Sequence, residues 1–234
     1  MLSGIPGNGS GRDFNNGQVG KPNQDKKRLF DPFKLYGWSR KEQLEAARGI
    51  IADSADIFKS DSIVNLTTLL HQIDVAISMI FPEAGSLLLV KRNGEYFPVS
   101  ARGIEFNPED LHPEAENSLV KVAVGEKMDE RRTIYLPDLN HDDLWISYEF
   151  GKNDYPLDES SLKESGLNID LFSLERCKIV AVAASPIIDH NQDPVGVLML
   201  FGKKPFLDVY VDLIVLRELA DSIASPLKQK TTNI

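Results

Sequence analysis

The segment Asp138–Trp145, DLNHDDLW, sets His141 beside two carboxylates, Asp142 and Asp143. An imidazole and two carboxylates are ligand types for a divalent cation. In a polar stretch the same three residues equally form a solvated turn or a helix cap, and that is the reading adopted. Cys177 is the single cysteine, so it has no disulfide partner and no second thiolate to share a metal with. The four histidines, His71, His112, His141 and His190, are scattered, and none can be paired with a nucleophile. GNGSG at residues 7–11 is rich in glycine, but no strand precedes it as a phosphate loop requires. The sequence thus assigns no catalytic residue, no metal site and no cofactor, and the protein is expected not to be an enzyme.

Any binding site must therefore be sought in the elements. With 234 residues and 42% apolar content, the chain can build one sizeable core plus an appended segment. No stretch approaches the roughly 18 apolar residues that span a bilayer. The first residues, MLSGIPGNGSGRDFNNG, lack the basic-then-apolar order of a signal peptide. A cytoplasmic protein is expected, and the sparse cysteine agrees with a reducing compartment. Charge is unevenly placed: residues 1–41 carry a net +5, which leaves −14 for the rest of a chain at −9. A body this acidic repels phosphates, so nucleic acid is not an expected partner of the folded part.

Residues 1–38 form an arm. Its first part, to about Gln24, has almost nothing to bury and is predicted to be disordered. It runs into DKKRLFDPFKLYGW, where Lys26, Lys27, Arg28 and Lys34 interleave with Phe30, Phe33, Tyr36 and Trp38. These aromatics suit docking on the protein's own core or a second subunit; they equally suit a linear motif for a partner protein or an anionic membrane surface.

Ser39 and Glu42 have the spacing of a capping box and predict a helix over residues 39–59, with Leu44, Ile51 and Phe58 recurring every seven residues. A second helix begins near Ser60, carries Ile63, Leu66, Leu70, Ile73, Ile77 and Ile80, and stops at Pro82. GSLLLVKRNGEYFPVSARG then switches to hairpin signals around Asn93-Gly94. HPEAENSLVKVAVGEK predicts a helix with Pro113 in its first turn, Glu114 and Glu116 at its positive end, and Gly125 as its stop. RRTIYLPDL is a short strand, and residues 140–176 are predicted to be a long loop with one or two short helices. CKIVAVAASPIIDHNQDPVGVLMLFGKKPF is a second hairpin. The last helix, DVYVDLIVLRELADSIASPL, carries Leu213, Leu216, Ala220, Ile223 and Leu227 in a stripe widened by Tyr210, Ile214 and Val215, and so must be covered on more than one side.

In this order the sequence resembles a GAF domain, a sensory module related in architecture to PAS domains. The resemblance covers roughly residues 61–227, with residues 60–227 taken as the domain and 228–234 as a tail. It rests on IVNLTTLLHQIDVAISMI, on the pair SLLLVKRNGEYFPVSARG, and on SLVKVAVGEKMDERRTIYLPDLNHDD. It rests also on the final hairpin, where Ser185-Pro186 and Gly196-Val197-Leu198 stand in the places of the family's Ser-x-Leu-x-Val-Pro-like and Gly-Val-Leu runs. The resemblance implies an α+β fold, a central antiparallel sheet with helices on its faces. It also implies that the first and last helices lie side by side and pair with those of a second subunit, a homodimer through Leu44, Ile51, Phe58, Leu213, Leu216, Ala220 and Ile223.

Several specialised branches of that family are disfavoured. Free methionine sulfoxide reductases of this fold need several cysteines, and bilin attachment commonly uses a cysteine followed by histidine, whereas Lys178 follows Cys177 here. The Asn-Lys…Phe…Asp-Glu pattern of cyclic-nucleotide binders is not found in residues 140–180. His71 is the one histidine in an apolar setting, and an ordinary helix-face histidine is preferred to a haem ligand.

What remains is a dimeric regulatory module that senses a small ligand or relays a signal to an effector protein. The other class is a ligand-free scaffold whose arm or long loop binds a partner or a membrane surface. Only KQKTTNI follows Leu227, so the chain is expected to signal by contact with a partner or to be a piece of a longer protein. If a pocket exists, the family geometry nominates Arg102, Arg131, Tyr135, Asp138 and Trp145. The plain alternatives are surface arginines, a core-edge tyrosine, a capping aspartate and a packed tryptophan.

Overall fold

The structure, a computed structural model, describes residues 39–57, 63–116, 118–126, 130–139, 144–149, 157–161, 174, 176–205 and 209–231. The arm with Phe30, Phe33, Tyr36 and Trp38 lies outside the described residues, as do Phe58 and the His141–Asp143 cluster.

Helix α1 spans Arg40–Ile57. Its capping box is formed: the Ser39 N–H donates to Glu42 Oε2 at 2.9 Å, and the Glu42 N–H donates to Ser39 Oγ at 3.4 Å. Helix α2 spans Ile63–Ile80 and ends before Pro82. Strands β1 (Gly85–Arg92) and β2 (Glu95–Arg102) form a hairpin in register from Arg92↔Glu95 to Ser86↔Arg102. Its turn takes positive φ at both central residues, 51° at Asn93 and 90° at Gly94, which an Asn-Gly pair adopts at little cost.

A 3-10 turn at Pro108–Leu111 leads to helix α3, Leu119–Val124. Ser118, rather than Pro113, begins this helix: its Oγ accepts the Lys121 N–H at 3.2 Å. Residues 113–116 are turns that precede the helix. Strand β3 (Arg132–Leu136) is followed by β4 (Leu144–Glu149) and β5 (Leu157–Ser161), then β6 (Ala181–Ile188), β7 (Pro194–Gly202) and helix α4 (Val209–Thr231). The predicted 140–176 loop therefore holds two strands, because β4 pairs with β3 (Tyr135↔Ile146) and β5 with β4 (Ile146↔Glu159). Helix α4 reaches past residue 227, so Lys228 belongs to the helix and not to a tail.

The seven strands form one antiparallel sheet in the order β2-β1-β7-β6-β3-β4-β5. Because successive side chains along a strand point to opposite faces, the apolar runs feed two cores. Leu88, Val90, Tyr135, Ala181, Ala183, Ile187, Leu198 and Leu200 meet α1, α2 and α4 on one face. Leu87, Leu89, Ile134, Leu136, Val182, Ala184, Val197, Met199 and Phe201 meet α3 on the other. Continuous hydrophobicity in β1, β6 and β7 follows from this double coverage. Opposite each other on β3 and β6, Thr133 Oγ1 and Ser185 Oγ hydrogen-bond at 2.9 Å inside the sheet.

The residues nominated for a dimer seam are spent within the chain. Leu44, Ile51, Leu213, Leu216, Ala220 and Ile223 are all buried in the core beneath the helices. The outer positions of α1 and α4 carry polar residues such as Lys41, Glu42, Glu45, Asp221 and Ser225. The helical stripe marks burial correctly, but α1, α2 and the sheet already cover it. Asp212 of α4 is buried and ion-paired with Arg40 Nε at 2.9 Å, and Arg40 also donates to Ile80 O and lies over the Phe81 ring. One side chain thereby ties the start of α1 to the end of α2 and to α4.

Candidate ligand cleft

A concavity of about 1040 Å³ lies on the α3 side of the sheet, at the turn end of the β1–β2 hairpin. Lys91, Gly94 and Tyr96 form its hairpin wall, Val122 and Val124 its helical wall, and Glu130, Arg131 and Arg132 the segment entering β3. Each wall has a local cause. Tyr96 is the inward residue just after the Asn-Gly turn, so the turn sets its position. The short α3 ends at Gly125, whose φ of 63° turns the chain away; a side chain there would place its Cβ 2.8 Å from the Glu130 carbonyl carbon. That close approach brings Arg131 back beside the helix.

Two side chains on this cleft are buried with unused polar atoms. Tyr96 is 4% exposed, and its hydroxyl has no hydrogen-bond partner among the described residues. Burial, and then the charge of Glu114, push its phenol up to about 12, against a smaller opposing effect of Arg131. Arg131 is 8% exposed; it donates through Nη1 to Gln192 O, and its Nε is buried without a partner. Glu114, by contrast, is fully engaged: it accepts the Tyr96 backbone N–H and pairs with Lys121 Nζ at 2.8 Å. No serine, threonine, cysteine, histidine or aspartate stands among the described lining residues. The described wall thus offers hydrogen-bond donors and charged groups beside apolar surface.

The residues nominated from sequence do not converge. Arg131 lines the cleft; the other four are placed elsewhere or without a described side chain. Tyr135 is fully buried on the opposite face of the sheet, because strand alternation sends Ile134 and Leu136 to the α3 side and Tyr135 to the helices. Arg102 sits at the far end of β2, about 20 Å from the hairpin turn at strand spacing, and donates to Ala84 O at 3.0 Å. Asp138 lies beyond β3, half-buried and already partnered. Trp145 is on β4 opposite Ser160, with its side chain outside the described residues. Tyr96, Glu114, Lys121 and Val122 were not nominated. Only the Asn-Gly turn and the Gly125 stop hint at them, since the cleft exists through the meeting of a hairpin tip and a helix far apart in sequence.

From Arg131 a chain of contacts leads across the molecule. Gln192 belongs to the β6–β7 turn, where its N–H donates to Asp189 O at 2.9 Å. Asp189 is buried; its Oδ1 accepts the N–H groups of Asn191 and Asp193 at 2.9 and 2.8 Å, and its Oδ2 pairs with Lys228 on α4. Burial disfavours the Asp189 charge, but the Lys228 and backbone hydrogen bonds together with the Lys228 charge outweigh it and hold the carboxyl below its ordinary range.

No family model matches the chain, and no curated protein matches it. Solved structures do. The phycocyanobilin-bound GAF domain from a cyanobacterial phytochrome superposes with a TM-score of 0.51 at 10% identity, over 83% of this chain and 97% of that one. A structure described as the GAF domain gives 0.48 at 16% identity, over 85% and 97%. The GAF domain from a phosphoenolpyruvate-protein phosphotransferase of Coxiella burnetii gives 0.47 at 15%, over 83% and 98%. The first of these likenesses carries the fold: the chain has the architecture of a GAF domain, an α+β sheet covered by helices. At such identity it carries nothing about ligand or activity. Among the described residues no helix is long and apolar enough to cross a membrane, and no three His, Cys, Asp or Glu side chains are grouped to hold a metal ion.

Proposed function

We propose that this protein is a non-enzymatic regulatory module of the cytoplasm that binds a small ligand in the α3 cleft and signals its occupancy to a partner protein. The observation that carries this reading is the pair of buried, unsatisfied polar groups, Tyr96 Oη and Arg131 Nε, on one cleft. Native folds rarely leave such groups without partners unless something else supplies them. The bilin in the phytochrome domain and the general role of GAF domains as sensors agree with a ligand on this fold. The contacts from Arg131 through Gln192 and Asp189 to Lys228 give the ligand a route to α4, whose surface is then the one a partner reads. A ligand shifts this equilibrium only by its different affinity for two arrangements, so the coupling must show as a change in α4 when the cleft fills.

The test is thermal melting of the purified protein in a metabolite extract of its own organism. The extract raises the melting temperature of the wild type and leaves Val122→Trp, which fills the cleft from α3, unmoved. Equal responses from both proteins, or none from either, would contradict a ligand site in the cleft.

A further inference from the structure

The chemistry of the cleft narrows the class of ligand, on the reading that the cleft is a ligand site. Arg131 spends one nitrogen on Gln192 O, and its Nε–Nη2 edge makes no hydrogen bond among the described residues. Among the described residues it also has no carboxylate in an ion pair, although 8% exposure leaves its charge poorly hydrated. A buried cation without a counter-charge is costly, and the fold retains one here. That free edge has the geometry in which a guanidinium grips a carboxylate or phosphate through two parallel hydrogen bonds.

Tyr96 supplies a second donor. Its phenol stays protonated well above neutral pH and lies close enough to Arg131 to feel its charge. Glu114, the acid that acts on the same phenol, is already engaged by Lys121 Nζ and by the Tyr96 N–H. Glu116, Glu126 and Glu130 also line the cleft; the first two are exposed, where water screens them, and the half-buried Glu130 accepts the Glu126 N–H through Oε2 at 3.1 Å. Two buried donors, one of them cationic, call for an acceptor that is an anion. Val122, Val124 and Pro194 offer apolar surface beside them.

We infer that the ligand is a small organic molecule that presents an oxyanion, a carboxylate or a phosphate, to Arg131 Nε and the Tyr96 hydroxyl, with its apolar part against Val122, Val124 and Pro194. In the free protein these donors are left unsatisfied, and binding completes them.

The experiment titrates the full chain at constant ionic strength with benzoate, phenyl phosphate and benzamide, following the side-chain Nε–H signal of Arg131 by NMR. At least one anion moves that signal and binds at least about tenfold tighter than benzamide. Benzoate alone identifies a carboxylate ligand and phenyl phosphate alone a phosphate; either supports the inference. Arg131→Gln removes the preference for the anion. Tyr96→Phe, which deletes only an unpartnered oxygen, folds with an unchanged or higher melting temperature and weakens anion binding about fivefold. Benzamide binding as tightly as the anions would overturn the oxyanion assignment while leaving the cleft a ligand site. Anion binding unchanged in both variants, or no binding of either anion, would also overturn it. The melting response to metabolite extract decides separately whether the cleft takes a ligand at all.

Discussion

Tyr96 and Arg131 are inside the protein yet hold hydrogen-bonding capacity that the surrounding fold does not use. For Tyr96 this has a consequence in pH. Its folded phenol stands near 12, above the unfolded value of 10.0, so the folded state retains its proton longer than the unfolded state does. The neutral phenol costs nothing below pH 10, and stability falls by about 2 to 3 kcal/mol as pH rises from the unfolded value through about 12, because the folded state resists ionising it. Denaturant unfolding at pH 9 and at pH 12 therefore shows a steeper loss for the wild type than for Tyr96→Phe; parallel losses would contradict it. Asp189 works in the other direction. Its depressed carboxyl contributes stability that is present above the ordinary carboxylate range near pH 4 and is lost as pH falls below it. Asp189→Asn is expected to lower stability at pH 7 and to flatten the acid limb of the melting-temperature profile.

At the scale of elements, the sequence was legible where the signal was local. Ser39 and Glu42 name the start of α1, and Asn93-Gly94 names the β1–β2 turn, because each motif satisfies its own backbone within four residues. Strands β4 and β5 were not legible. LWISYE and LDESS lack a sustained apolar alternation, and no Asn-Gly-type turn signal joins them, although they extend the sheet directly from β3. Tyr135 shows a related limit: RTIYL announces a strand, but not which phase faces which layer, and one residue of phase separates the helical core from the cleft side. Likewise the stripe of Leu213, Leu216, Ala220 and Ile223 tells that these residues are covered and not what covers them. In the fold they close the chain's own core, so Leu216→Ala is expected to cost about 2 to 5 kcal/mol of unfolding free energy. A substitution that merely weakened self-association, leaving unfolding untouched, would restore the dimer seam. The relay through the β6–β7 turn is also an element-scale claim. Lys228→Met should leave anion binding intact while abolishing the change in hydrogen exchange along α4 that ligand produces in the wild type.

For the whole molecule, an acidic body carrying −14 outside its first 41 residues holds a cleft with a buried arginine, Arg131, that makes no ion pair among the described residues. That contrast favours a small anion that can reach a shielded cation over a polyanion that must approach the whole surface. The architecture was accessible from the sequence because the order of helices and hairpins is itself diagnostic. The cleft was not, because it is made where the hairpin tip, α3 and the segment before β3 converge, and only Arg131 among the nominated residues arrives there. The central claim, that the cleft is a ligand site, is tested most directly by native mass spectrometry of the full chain purified gently from its own organism, alongside Val122→Trp. The account predicts a small-molecule mass bound to the wild type and absent from the variant. A wild type free of added mass, and unchanged by metabolite extract, would contradict it and leave a scaffold that works through its surfaces alone.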